Sequence, residues 1–239
     1  MCEAVGALDG RIALITGASR GIGAAVAERF AAEGTRLILA ARTAGALEEV
    51  DDRIAAASEG AKATLIPVDL ADHDRIDEMA GAIADRFGRL DILVGNAAVL
   101  GGLAPLAHVE PERWAEAVNV NLTANWRLIR AFEPLLRRSP AGRAIFVTSG
   151  VTRGTFPYWG PYAASKAALE ALVRTWAAEL DKTDIRVNIL SPGVVRTRMR
   201  AEAMPGEDPT TLPPPESVAG LFVELASEKC RRNGETVFA

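Results

Sequence analysis

The sequence predicts an α/β protein built on a doubly wound parallel sheet of about seven strands, flanked by helices in three layers. Two observations carry this. Short β-branched or aliphatic runs alternate with longer alanine-rich stretches, the order expected of βαβ units. The short runs are also apolar along nearly their whole length, as in Leu37-Ile38-Leu39-Ala40 and Asp91-Ile92-Leu93-Val94. Strands covered on both faces read this way, whereas a half-exposed strand alternates.

Taken in order, strands are expected at 11–16, 36–41, 63–68, 91–95, 143–148, 185–191 and 235–238. Helices are expected between them, at about 21–33, 44–57, 72–87, 111–137, 159–182 and 216–227. The segment 205–215, rich in proline and glycine, cannot continue a helix. A long loop inside a compact domain is often a binding segment or lid, so a substrate lid is expected near 194–215. No repeat, low-complexity tract or interdomain linker interrupts 1–239, and one domain is expected.

Composition narrows the functional classes. With 239 residues, 49% of them hydrophobic, the chain can bury a large core without disulfides. Cys2 and Cys230 lie at opposite ends, and His73 and His108 stand alone, so neither a disulfide nor a metal-ligand pattern is expected. The N-terminus lacks the basic and apolar regions of a signal peptide. No uncharged apolar run approaches the ~18 residues of a membrane span. These features imply a cytoplasmic setting with no membrane partner. A net charge of -4 without a basic block argues against nucleic acid.

Two motifs carry chemistry. Gly17, Gly21 and Gly23 lie between the first strand and the first helix. Glycines there permit a tight turn and close approach of backbone to a pyrophosphate, which the helix N-terminus also attracts. A carboxylate closing the second strand would bind the ribose 2′-hydroxyl of NAD. That strand instead ends Leu39-Ala40-Ala41-Arg42. Arg42 and Arg20 suit a 2′-phosphate, so NADP(H) is expected over NAD(H). Further along, Tyr162 and Lys166 are four apart and share a helix face. A nearby ammonium favours a phenolate, and a phenol tuned toward neutrality can exchange a proton at working pH. Ser149 closes the fifth strand, where doubly wound sheets place their ligand crevice. Asn121 sits in a helix despite its poor propensity, so it calls for a reason.

As a set, the glycine turn, Asp69, Asn96-Ala97, Asn121, Ser149, Tyr162-Ala163-Ala164-Ser165-Lys166 and Pro192-Gly193 with Thr197 resemble the short-chain dehydrogenase/reductase family, in its compact single-domain branch. The resemblance covers essentially the whole chain and implies a Rossmann-type fold. The stretch 196–209 is similar to a bacterial subgroup of that family.

By this resemblance Tyr162 is the general acid in carbonyl reduction and the base in alcohol oxidation. Lys166 lowers the tyrosine pKa and holds the nicotinamide ribose. Ser149 binds the substrate oxygen, and Asn121 holds a water in a proton relay. The cofactor-binding set it implies is Gly17, Ser19, Arg20, Gly21, Ile22, Gly23, Arg42, Asp69, Leu70, Asn96, Ala97, Tyr162, Lys166, Pro192, Gly193, Val195 and Thr197. One departure is plain: Asn-Asn-Ala-Gly after the fourth strand is here Gly95-Asn96-Ala97-Ala98.

The substrate pocket is expected among Val99, Leu100, Gly150, Val151, Phe156, Trp159, Val194 and Met199. The basic cluster Arg196, Arg198 and Arg200 either favours an anionic substrate or forms a solvated face. The expected function is an NADP(H)-dependent oxidoreductase acting on a small carbonyl or alcohol substrate, as a homodimer or homotetramer. A 3-oxoacyl-carrier-protein reductase and a non-enzymatic NADP(H) sensor are the alternatives.

Overall fold

The computed structural model describes residues 6–58 and 61–239. Cys2 and the leading segment read above for targeting lie outside them.

Seven parallel strands form one sheet, in the order β3-β2-β1-β4-β5-β6-β7. They are β1 (Ile12–Thr16), β2 (Arg36–Ala41), β3 (Thr64–Pro67), β4 (Ile92–Gly95), β5 (Arg143–Val147), β6 (Arg186–Ser191) and β7 (Thr236–Phe238). Leu14 of β1 stands opposite Ile38 on one side and Leu93 on the other. Every residue of β1, β4 and β5 is buried, which explains why those runs carry no polar alternation. The edge strand β3 is half-buried and ends at Pro67, a residue tolerated where no further ladder bond is needed.

The described residues hold eight α-helices: α1 (Gly21–Ala32), α2 (Ala44–Ala57), α3 (His73–Phe87), α4 (Pro111–Val118), α5 (Ala124–Leu136), α6 (Gly160–Glu179), α7 (Arg198–Ala203) and α8 (Ala219–Ala226). Phe30, Leu47, Val50 and Phe222 bring α1, α2 and α8 onto one face. Ile83, Phe132, Leu169 and Trp176 bring α3, α5 and α6 onto the other. Each fully buried phenylalanine contributes about 1.5–3 kcal/mol relative to exposure.

Local signals explain individual elements. In α3, Ile76, Met79, Ala80 and Ile83 are buried, the i, i+3, i+4, i+7 spacing of a helix with one apolar stripe. That helix ends where Gly88, at φ 74°, turns left-handed and donates its N–H to Ala84 at 2.9 Å. Pro111 opens α4, where a missing N–H costs nothing.

The single helix expected over 111–137 is a correction. After α4 the chain makes a five-residue π turn, Asn119–Thr123, before α5 begins. The wider turn inserts where Asn121 is buried, and its side chain bonds to other elements. The expected helix 159–182 runs from Gly160 to Glu179, and 216–227 divides into a 3-10 turn, Pro215–Val218, followed by α8. The segment 194–215 holds α7 and a 3-10 turn at Pro209–Thr211.

At the N-terminal edge of the sheet, two arginines expected to begin strands are buried. Arg143 donates five hydrogen bonds, to the carbonyls of Ser227, Gly142, Asp184, Glu228 and Cys230, at 2.7–3.2 Å. Arg11 donates to the carbonyls of Ala226, Asp91 and Ala141. The buried Asp91 carboxylate accepts from the Ile12 N–H at 2.9 Å and the Ser139 hydroxyl at 2.5 Å.

Candidate active site

Parallel strands present their C-terminal ends on one side of a sheet, and ligands of doubly wound folds bind there. A cavity of about 540 Å³ opens along that edge. Strand order sets its length. Arg42 follows β2 and Ser149 follows β5, three strand spacings away, roughly 14 Å at the usual interstrand distance.

The nucleotide end is shaped by glycine. Gly17 and Gly21 have φ values of 63° and 55°, which side-chain-bearing residues rarely adopt. A Cβ on Gly23 would fall 2.3 Å from the Gly17 carbonyl oxygen, so this glycine lets α1 pack onto the turn. Gly23 is absent from the cavity wall, whereas Gly17, Ser19, Arg20, Gly21 and Ile22 line it. Asn96 braces the turn: its side-chain amide donates to the Thr16 and Gly17 carbonyls at 3.0 and 3.2 Å. The Thr16 hydroxyl accepts the Asn96 and Ala97 N–H groups.

Arg20 and Arg42 are exposed, line the cavity and form no ion pair among the described residues. Asp69, Leu70, Asn96, Ala97, Pro192, Gly193, Val195 and Thr197 also line it. The glycine turn, the N-terminus of α1 and two unpaired guanidinium groups fit a phosphorylated dinucleotide.

At the other end, Ser149, Tyr162 and Lys166 share the cavity wall. The Lys166 ammonium donates to the Val147 carbonyl at 2.8 Å and lies 5.8 Å from the Tyr162 ring centroid. Burial dominates both groups. The Tyr162 phenol is pushed up to about 12 by desolvation, against a smaller downward pull from the Ser149 hydroxyl. Burial lowers Lys166 to about 8. The sequence-based expectation of a phenol tuned toward neutrality is therefore reversed in this structure. Removing the phenol from water disfavours its anion more than its neighbours favour it.

Asn121 is buried and lies outside the cavity wall. Its side chain donates to the Val99 carbonyl and the Ser165 hydroxyl and accepts the Val99 N–H, at 2.9–3.0 Å. Its own carbonyl accepts from the Asn125 amide at 2.8 Å. The side chain thus fixes the start of the loop that follows β4.

Of the eight expected pocket residues, Val99, Leu100, Trp159, Val194 and Met199 line the cavity. Val151 is buried behind Tyr162 in a small apolar cluster. Phe156 is exposed and its ring packs against Gly154. Gly150 faces open space. Of the basic cluster, Arg198 and Arg200 line the cavity, with Arg200 held by Glu207 in a two-bond fork at 2.5 and 2.6 Å, and Arg196 is exposed.

Glu170 was not singled out from sequence. It lies one turn beyond Lys166, is buried, and accepts from the Thr148 and Thr152 hydroxyls and from Arg174, each at 2.7 Å. It braces both flanks of Ser149. The i, i+4 spacing from Lys166 was its available signal.

A nucleotide cleft at the switch edge of a doubly wound sheet, with a phenol, an ammonium and a hydroxyl on one wall, defines an oxidoreductase. Residues 11–208 match the short chain dehydrogenase family. The chain is 36% identical over 97% of its length to oxidoreductase YciK of Escherichia coli K12, covering 92% of that protein. It is 33% identical over 93% of its length to the Thermotoga maritima 3-oxoacyl-[acyl-carrier-protein] reductase FabG, covering 92% of that protein. Its fold superposes with a TM-score of 0.94 on a short chain dehydrogenase from Escherichia coli CFT073 complexed with NADPH, at 35% identity and 99% coverage of both chains. The chain belongs to the short chain dehydrogenase family. Among the described residues, no helix is long and apolar enough to cross a membrane.

Proposed function

We propose that this protein is an NADP(H)-dependent reductase of carbonyl compounds, and the dehydrogenase of the corresponding alcohols in reverse. The observation that carries the reading is a single cavity lined at one end by Arg20 and Arg42 and at the other by Ser149, Tyr162 and Lys166. The NADPH complex of the similar E. coli CFT073 structure supports the cofactor choice.

Bound NADP(H) supplies or accepts the hydride. Arg20 and Arg42 hold the 2′-phosphate, and the backbone of the glycine turn holds the pyrophosphate. The Ser149 hydroxyl donates to the carbonyl oxygen and stabilises charge growing there. Tyr162 delivers the proton to that oxygen. Its high pKa keeps the phenol protonated at working pH, as an acid in reduction must be. Lys166 then faces a phenolate and stabilises it, while its other donors orient the ribose. Asn121, by its match to the family motif, holds a water in the proton relay.

The remaining elements complete the reading. The chain works as one domain, 1–239, with 194–215 as the substrate lid, in the cytoplasm. Exposed Trp114 and Trp126, on α4 and α5, support a homodimer or homotetramer. The likeness to FabG supports a second, narrower reading as a 3-oxoacyl-carrier-protein reductase. The intact proton-transfer set weighs against a non-enzymatic sensor.

The test is NADPH consumption against ketones, aldehydes, quinones and oxoacyl thioesters, with NADH in parallel. The expected result is turnover with kcat/KM for NADPH at least about tenfold above NADH, a difference of ~1.4 kcal/mol. Tyr162→Phe retains NADPH binding and loses turnover by about 10²–10⁴-fold. A tenfold preference for NADH, or Tyr162→Phe turning over at the native rate, rejects the assignment.

A further inference from the structure

We propose that the substrate carries an aryl or branched-alkyl substituent on its carbonyl, and that Trp159 is the residue that selects it. The inference rests on the reductase reading above.

Val99, Leu100, Trp159, Met199 and Ala203 are among the apolar side chains that line the cavity. Leu100 and Ala203 are buried and pack with Tyr162 in one cluster, against which Trp159 and Met199 also pack. They come from three separate places: the segment after β4, the entry of α6, and α7. An apolar lining assembled from separate elements beside a proton donor is a concave hydrophobic subsite with one polar anchor, the usual form of a small-molecule pocket.

Trp159 has the most specific placement. It precedes α6, three residues before Tyr162, and its ring meets the phenol edge-on, with centroids 5.9 Å apart and planes at 62°. Such edge contacts are a favoured aromatic geometry, so the indole is oriented by the same side chain that donates the proton. A ring attached to the carbonyl carbon would meet this indole and the Leu100 side chain.

Beside Met199, α7 also presents Arg198 and Arg200 to the cavity; Arg200 is engaged by Glu207 and Arg198 is exposed. The cavity's sole carboxylate among the described residues is Asp69. It follows β3, four strand spacings from Ser149, roughly 19 Å away. A polyhydroxylated substituent would thus lack carboxylate acceptors here. The roof is α7, which carries Met199 and Ala203 over the subsite and is braced within its own segment by the Arg200–Glu207 fork.

The experiment compares kcat/KM for an aryl alkyl ketone with that for dihydroxyacetone, using NADPH and the full chain. The native enzyme is expected to prefer the aryl ketone by about tenfold or more, within the range a hydrophobic pocket achieves. Trp159→Ala should lower that ratio at least about tenfold, whereas Trp159→Phe, which keeps an aromatic ring, should hold it within about threefold. NADPH binding by each variant reports that it is folded. A native preference for dihydroxyacetone, or an equal loss for both ketones in Trp159→Ala, overturns the proposal.

Calorimetric binding of each ketone to the enzyme–NADPH complex separates this idea from the reaction it rests on. An aryl ketone that binds preferentially but is not reduced sinks the reductase reading and leaves the subsite standing. Equal binding of the two ketones sinks the subsite whatever the turnover.

Discussion

Arg143 and Lys166 are both almost wholly buried, and they sit at opposite ends of the same strand. Arg143 begins β5, and Lys166 reaches the carbonyl that ends it. Burial lowers both, to about 10 and about 8 respectively. Their bonding differs sharply. Five carbonyls from three stretches of chain surround Arg143, whereas Lys166 has one protein acceptor among the described residues, Val147. An ammonium has three donors. A buried cation with its donors satisfied is a structural staple. One with donors to spare is held in place for something else to bind.

The sharpest way to break this contrast is to remove each charge. Lys166→Met should lower turnover by about 10²–10⁴-fold and leave thermal stability equal or higher, because the cost of burying the ammonium disappears. Steady-state kinetics and a melting curve on the same preparation decide it; a large drop in Tm would make Lys166 a staple too. Arg143→Met should do the opposite. Orphaned carbonyls should cost about 3 kcal/mol or more, measured by denaturant unfolding, with kcat preserved in the folded fraction.

The smallest effect is in the pH profile. Lys166 titrates below its ordinary 10.5, so between about 8 and 10.5 the unfolded chain binds more protons, and stability should rise with pH across that window from this group. Reduction should fall over the same range as the ammonium that stabilises the phenolate is lost. A reduction rate flat from pH 7 to 9.5 would separate Lys166 from the proton-transfer step.

The sheet was legible because burial on both faces leaves an unmistakable apolar run. Most helices were legible through their spacing, as Ile76, Met79, Ala80 and Ile83 illustrate. The π turn was not, since widening one turn shifts hydrogen-bond register without changing composition. Its trace was the ill-suited Asn121. Six-residue α7 was too short to show periodicity. The burial of Arg11 and Arg143 was not legible, since arginine is rarely buried; what surrounds them is carbonyls from distant segments, which a linear pattern does not reveal.

Within the site, motif spacing located Ser149, Tyr162 and Lys166 on one wall. It misjudged the direction of the Tyr162 shift, because desolvation depends on packing from every side. It also could not separate Trp159, which lines the cavity, from Phe156, which does not.

The glycine that departs from the family pattern is held there by its neighbours. A Cβ on Gly95 would stand 2.4 Å from Cδ1 of Phe146 and 2.7 Å from Oδ1 of Asn125, closer than real contacts allow. The Phe146 ring and the Asn125 carboxamide occupy the room that any larger residue would need. An asparagine at position 95 is therefore compatible with this packing only if both neighbours change with it, so three positions far apart in sequence are tied into one choice.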